Sequence, residues 1–135
     1  MNTFVWQARV YWEDTDAGGI VYYANYLRFL ERARSEWLRA RGISQRALAL
    51  QPGILFSVVS LEAQYLLPAR LDDLMLISCE PRLQGGASIA FVQHIRRELA
   101  DGELLLSASV RVACLDAKTM KPRRLPDVIT RELCA

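Results

Sequence analysis

Two hydrophobic periods divide the chain. Over residues 24–41, apolar side chains recur at Tyr26, Phe29, Leu30, Ala33 and Trp37, the spacing that lines one face of an α-helix. Arg28, Glu31, Arg32, Ser35, Glu36 and Arg39 occupy the other faces, and Gly42 stands where a left-handed stop belongs. Ser44 is placed to cap a short second helix through Leu50, which Pro52 and Gly53 end. From residue 54 the pattern changes. Residues 54–67, 71–83, 88–99 and 104–116 predict four long strands, punctuated by Pro68, Gly85-Gly86 and Asp101-Gly102. In the last of them Leu104, Leu106, Ala108, Val110, Val112 and Cys114 point one way while Ser107, Ser109 and Arg111 point the other, as in a sheet with one dry face.

Residues 4–12 add an earlier strand of β-formers. One long helix and five long strands predict an α+β fold in which an antiparallel sheet wraps the helix. No linker or repeat interrupts residues 1–135, so a single domain is expected. Its polar tail, residues 118–135 with Pro122 and Pro126, predicts an extended C-terminal arm.

Composition narrows the function classes. A net charge of +2 is too small to make nucleic acid the main partner. Cys79, Cys114 and Cys134 are odd in number and lack paired spacing, which argues against a disulfide framework and against a metal site. Cys79 and Cys114 lie in apolar runs, where buried, inert thiols are expected. The first residues carry neither a basic segment nor an apolar one, and no apolar run approaches membrane-spanning length. A cytoplasmic protein is the expectation, with at most a peripheral membrane association.

The chemistry concentrates in residues 13–26, Glu-Asp-Thr-Asp-Ala-Gly-Gly-Ile-Val-Tyr-Tyr-Ala-Asn-Tyr. Asp14 and Asp16 precede a Gly-Gly pair at the start of the long helix, where free N–H groups and the positive dipole end gather. A carboxylate beside preorganised N–H donors can attack a carbonyl that those donors polarise, or activate water against it. The plainer alternative is a capping loop in which the two acids only satisfy helix donors.

The run from Val10 through Tyr26 resembles the signature of hot-dog-fold acyl-CoA thioesterases, the 4-hydroxybenzoyl-CoA thioesterase family, and most closely its YbgC-like branch associated with the Tol-Pal envelope system. The resemblance continues through Glu31-Arg32-Ala33-Arg34, Tyr65-Leu66-Leu67-Pro68-Ala69-Arg70-Leu71-Asp72-Asp73 and Met120-Lys121-Pro122-Arg123, nearly the whole chain. It implies a hot-dog fold, with homodimers joined edge to edge, often paired into tetramers, and active sites between subunits. It also implies hydrolysis of acyl-CoA, and of acyl carrier protein thioesters, without a metal or organic cofactor beyond the coenzyme A of the substrate. The catalytic carboxylate maps onto Asp16, as nucleophile or general base, and the oxyanion donor onto the backbone N–H of Tyr23. Many YbgC-like members carry His at the Tyr23 position, so a histidine-assisted step is not implied here.

Other assignments follow from those. Gly18 and Gly19 admit close approach of a substrate, and Tyr22 and Tyr26 bound the acyl pocket, with core packing the alternative for Tyr26. Gly86 and Ser88 are candidates for the pantetheine arm; Arg82, Lys121, Arg123 and Arg124 are candidates for the phosphates, each with a solvated surface charge as its alternative. His94 reads as a strand histidine and Glu31 as an ion-pair partner of Arg28 or Arg34. Two other function classes compete: a non-catalytic acyl-binding or scaffold module of envelope and phospholipid machinery, and a dehydratase, which would need a histidine that the loop lacks.

Overall fold

In the computed structural model, which describes residues 3–134, five strands form one antiparallel sheet in the order β1-β3-β4-β5-β2. They are β1 (Phe4–Arg9), β2 (Ile54–Tyr65), β3 (Leu74–Gln84), β4 (Ser88–Arg97) and β5 (Leu104–Asp116). Helix α1 (Tyr26–Ala40) packs on one face of the sheet, α2 (Gln45–Leu50) follows it, and α3 (Asp127–Cys134) is the last element. Met1, Asn2, Ala135 and the side chain of Cys134 lie outside the described residues, so the readings of the leader and of the third thiol do not reach the structure.

The helical period lands where it was expected. Tyr26, Phe29, Leu30, Ala33, Trp37 and Leu38 are buried against Met75, Ile77 and Cys79 of β3, Phe91 of β4 and the inward row of β5. Trp37 meets Phe91 edge to face at 6.0 Å between ring centres, and the Arg41 guanidinium covers its other side at 4.3 Å. Two polar residues share this interface. Gln93 of β4, fully buried, donates to Leu30 O of the helix at 3.1 Å and accepts from Arg34 Nη1 at 3.1 Å. A buried guanidinium needs a partner, so Arg34 turns inward to Gln93 rather than pairing with Glu31. Glu31 instead accepts the Ser35 hydroxyl at 3.1 Å.

Several strand limits contract, each for a local reason. β1 stops at Arg9 because the Tyr11 N–H donates to Asp14 Oδ2 and the chain tightens into a 3₁₀ turn, Trp12–Asp14. β2 stops at Tyr65, after which Leu66 and Leu67 both donate to Leu105 O. β3 begins only at Leu74, because Asp73 Oδ2 caps the Arg70 N–H in a turn that holds Asp72 at φ +71°.

The C-terminal arm is not extended throughout. Residues 127–134 form α3, because Leu125, Ile129 and Leu133 recur every fourth residue and pack against the core. Pro126 suits a helix start, and its carbonyl accepts the N–H groups of Ile129 and Thr130.

Truncating the central aromatic, Trp37→Ala, is expected to cost about 3–5 kcal/mol in denaturant unfolding. Burial pushes the Cys79 thiol up to about 12. The folded protein should therefore leave Cys79 unmodified by iodoacetamide at about pH 8, whereas in urea the same cysteine should react; peptide mapping by mass spectrometry reads both.

Candidate active site

Asp14 and Asp16 stand two residues apart in different surroundings. Asp14 is half-buried, and its carboxylate accepts the Tyr11 N–H at 2.9 Å, so it serves the backbone. Asp16 is exposed at the mouth of a tight hairpin closed by a bridge between Thr15 and Val21. Its N–H donates to Ile20 O, its carbonyl accepts from the Gly19 N–H, and its Oδ1 accepts from the Gly18 N–H at 2.8 Å. Gly19 sits at φ +78°, where a side chain would strain the turn, and a Cβ on Gly18 would stand 3.2 Å from Asp16 Oδ1. The two glycines thus keep the carboxylate short-leashed and open to approach.

A second stretch of chain holds this hairpin from outside. Residues 68–73 lay a carbonyl and an amide against it: the Val21 N–H donates to Ala69 O at 2.9 Å and the Leu71 N–H reaches Gly19 O at 3.4 Å, while the Ala69 N–H donates to the Tyr26 hydroxyl of α1 at 3.0 Å. Arg97 clasps that segment, pairing with Asp73 and donating to Pro68 O at 2.9 Å.

Beyond the hairpin comes a second 3₁₀ turn, Tyr23–Asn25, running straight into α1. As the first residue of its turn, Tyr23 has no acceptor within it for its N–H, and no backbone bond outside the turn takes that N–H among the described residues. Tyr65 of β2 steadies the turn by donating its hydroxyl to Tyr23 O at 3.0 Å, while its ring packs edge to face on Tyr23 and Tyr26. Beside this donor opens an apolar groove lined by Ile20, Val21, Tyr23, Tyr26, Tyr65 and residues 66–68.

Of the predicted tyrosines, Tyr26 is buried and serves both core and groove; burial raises its hydroxyl above the ordinary phenol range, against the pull of the Ala69 N–H. Tyr22 lies outside the groove, its ring 4.9 Å from that of Tyr23, and the Tyr23 hydroxyl holds its own above the usual range, with the Asp16 charge adding to the effect.

The proposed coenzyme A residues are not gathered here. Gly86 and Ser88 line a separate groove with Val59, Arg111 and Pro122. Arg123 is committed elsewhere, donating to Pro52 O at 2.9 Å and pairing with Asp116 at 3.3 Å. That carboxylate sits below its ordinary range chiefly because the Thr119 and Lys118 N–H groups bond to it. Arg82 pairs with Glu80 at 3.5 Å, and Lys121 and Arg124 are exposed. His94 is half-buried in β4 and its N–H donates to Ser78 Oγ. Sequence reasoning passed over Asn25, Tyr65 and Arg97. The first two stood inside the quoted motifs, but their contacts reach 11 and 42 residues back along the chain, where no spacing rule operates.

No helix among the described residues is long and apolar enough to cross a membrane. Comparison with known proteins agrees with the resemblance. The profile of the thioesterase-like superfamily matches residues 10–133. The acyl-CoA thioester hydrolase YbgC of Escherichia coli O6:H1 is 47% identical over 134 residues, covering 98% of both chains. The acyl-CoA thioesterase YbgC of Haemophilus influenzae is 43% identical over 93% of this chain and 90% of its own. Among solved structures, a probable thioesterase from Bartonella henselae superposes with a TM-score of 0.84 at 38% identity, over 93% of this chain and all of its own. A mutant 4-hydroxybenzoyl-CoA thioesterase complexed with 4-hydroxybenzoyl-CoA gives 0.87 at 25% identity, over 98% and 99% of the two chains. Sheet, wrapped helix and relatives together make this a hot-dog fold, and the chain belongs to the thioesterase-like superfamily as a member of its YbgC-like branch.

Proposed function

We propose that the chain hydrolyses acyl-CoA thioesters to a free acid and coenzyme A, with the Asp16 carboxylate and the Tyr23 N–H as its catalytic pair. The observation that carries the reading is their arrangement. An exposed, backbone-tethered carboxylate stands on the hairpin whose Ile20 and Val21 line an apolar groove, and Tyr23, which lines the same groove, carries an N–H without a backbone acceptor at the positive end of the helical run into α1. As a general base, Asp16 takes a proton from water while the water oxygen adds to the thioester carbonyl; the tetrahedral adduct then collapses, its C–S bond breaks, and the leaving thiolate takes up the proton that Asp16 held. As a nucleophile it adds itself, expels the thiolate, and leaves an anhydride that water then opens. In either route the carbonyl oxygen gains charge, and the Tyr23 N–H is the donor for it; loss of one such donor typically costs about 10²–10³ in rate. The pantetheine arm is common to coenzyme A and acyl carrier protein, so the same site serves a carrier-protein thioester.

The site is completed by a second copy of the chain. β2 is an edge strand, hydrogen-bonded only to β5 among the described residues, and it exposes Val58, Val59 and Leu61 around a bulge at Val59. An exposed apolar edge invites pairing with another strand or other cover. Antiparallel pairing of β2 with its twin sets the Tyr65 end of one copy, which carries the Asp16 hairpin, beside the opposite end of the other. That brings the groove of Gly86 and Ser88 toward a hairpin from which it is separate within one chain.

Two experiments test this. Thiol release from short aliphatic, long aliphatic and aromatic acyl-CoAs should fall by at least about 10²-fold in Asp16→Asn, which keeps the size and removes the charge; a variant that keeps wild-type turnover removes Asp16 from the mechanism. Light scattering should find a dimer or tetramer, and Val59→Glu should lower both the mass and the turnover. A fully active monomer would end the shared-site reading.

A further inference from the structure

Asn25 occupies the N-cap position of α1, where an asparagine ordinarily accepts a hydrogen bond from the first turn of its own helix. Here the side chain caps nothing. Its Nδ2 instead donates to Asp14 O at 3.0 Å, across 11 residues of chain, in a partly buried position. A carbonyl oxygen only accepts, so the amide must present its nitrogen to it. The same carbonyl accepts the Tyr22 N–H at 3.0 Å, and the backbone N–H of Asn25 donates to Tyr22 O at 2.8 Å.

These bonds converge on the two halves of the catalytic pair. Asp14 O lies two residues ahead of Asp16, on the strand of the hairpin that delivers the carboxylate. The Tyr22 carbonyl belongs to the peptide unit that carries the Tyr23 N–H. Because that unit is planar and trans, its C=O and N–H point in opposite directions, so pinning one aims the other. One residue therefore ties the carboxylate's loop to the oxyanion donor's turn. We infer that Asn25 is a positioning residue: its side-chain amide fixes the separation between Asp16 and the Tyr23 N–H, and gives up helix capping to do so. The inference rests on the assignment of those two groups made above.

Asn25→Ala removes the tether to Asp14 and leaves the Asn25 backbone bond to Tyr22 in place. Asn25→Asp keeps the shape, lacks the donor, and turns a carboxylate oxygen toward the Asp14 carbonyl. Misplacement of reacting groups by an ångström costs on the order of 10²-fold. Both variants should therefore fold, by circular dichroism and thermal melting, and lose about 10–100-fold in kcat with KM within about threefold of wild type. A role in helix capping or general stability would not produce that split.

Coupling to Asp16 gives the second readout. Measured at high enzyme concentration in an Asp16→Asn background, Asn25→Ala should change the residual rate by less than about twofold, because no carboxylate remains to be positioned. An unchanged kcat in the folded Asn25→Asp variant overturns the inference, even if Asn25→Ala fails to fold. So does an equal loss of rate in both backgrounds. Wild-type turnover in Asp16→Asn alone would retire the catalytic pair itself, a failure told apart from the others because it appears without any change at Asn25.

Discussion

Burial of one face of α1 is the constraint on which the rest depends. Tyr26, Phe29, Leu30, Ala33 and Trp37 give the helix one way to lie on the sheet, and Gln93 restricts it further. Apolar contacts tolerate sliding, whereas a buried amide that bonds Leu30 O on one side and Arg34 on the other does not. Leaving either polar group unpaired in that interface would cost roughly 1–3 kcal/mol or more. With the helix axis fixed, its front end is fixed too, and that end carries the Tyr23 N–H.

The acid loop is held by different means. It has almost no core of its own, since Asp16, Ala17 and Gly18 are exposed and only Val21 is buried. Its geometry comes from backbone bonds to residues 69–71, and that outer segment is itself held by Arg97. The Arg97–Asp73 pair is about four-fifths shielded from solvent on both sides, and Asp73 also caps Arg70. Removing one partner would leave the other's charge largely shielded and uncompensated. So the run Pro68-Ala69-Arg70-Leu71-Asp72-Asp73 is a clamp, which explains why it belongs to the resemblance although no residue of it lies beside the carboxylate of Asp16 as a bonding partner.

How much of this was legible follows from the range of each signal. Tyr26, Phe29, Leu30, Ala33 and Trp37 repeat with the helix period, and β5 alternates, so local pattern alone places both. Ile129 and Leu133 in α3, with Leu125 just ahead of it, carry a similar period, but three positions beside two prolines in a polar tail make a weak pattern, and only contact with the core shows it. The Asp16 hairpin was legible through its motif. Its supports were not: Asn25 to Asp14, Tyr65 to Tyr23 and Arg97 to Pro68 are tertiary bonds set by how the helix lies on the sheet. The surroundings of the basic residues were hidden for the same reason. A charge has no period, and whether Arg123 greets a phosphate or a carbonyl depends on Pro52 and Gly53, seventy residues away.

Exposure of Asp16 is the last physical point. A carboxylate in bulk water is a weak base toward a thioester, and its advantage grows only as water leaves the site. Among the described residues of one chain Asp16 stays exposed, and the groove beside its hairpin is bounded on one side by the exposed Tyr65 edge of β2. The apolar groove supplies half of the enclosure once an acyl chain fills it. In the shared-site proposal the other half comes from across the β2 edge, where Val58, Val59 and Leu61 present exposed apolar surface. On the function proposed above, the free edge of β2 leaves the isolated chain open both as a sheet and as a catalyst, and pairing with a second copy would close both by the same contact.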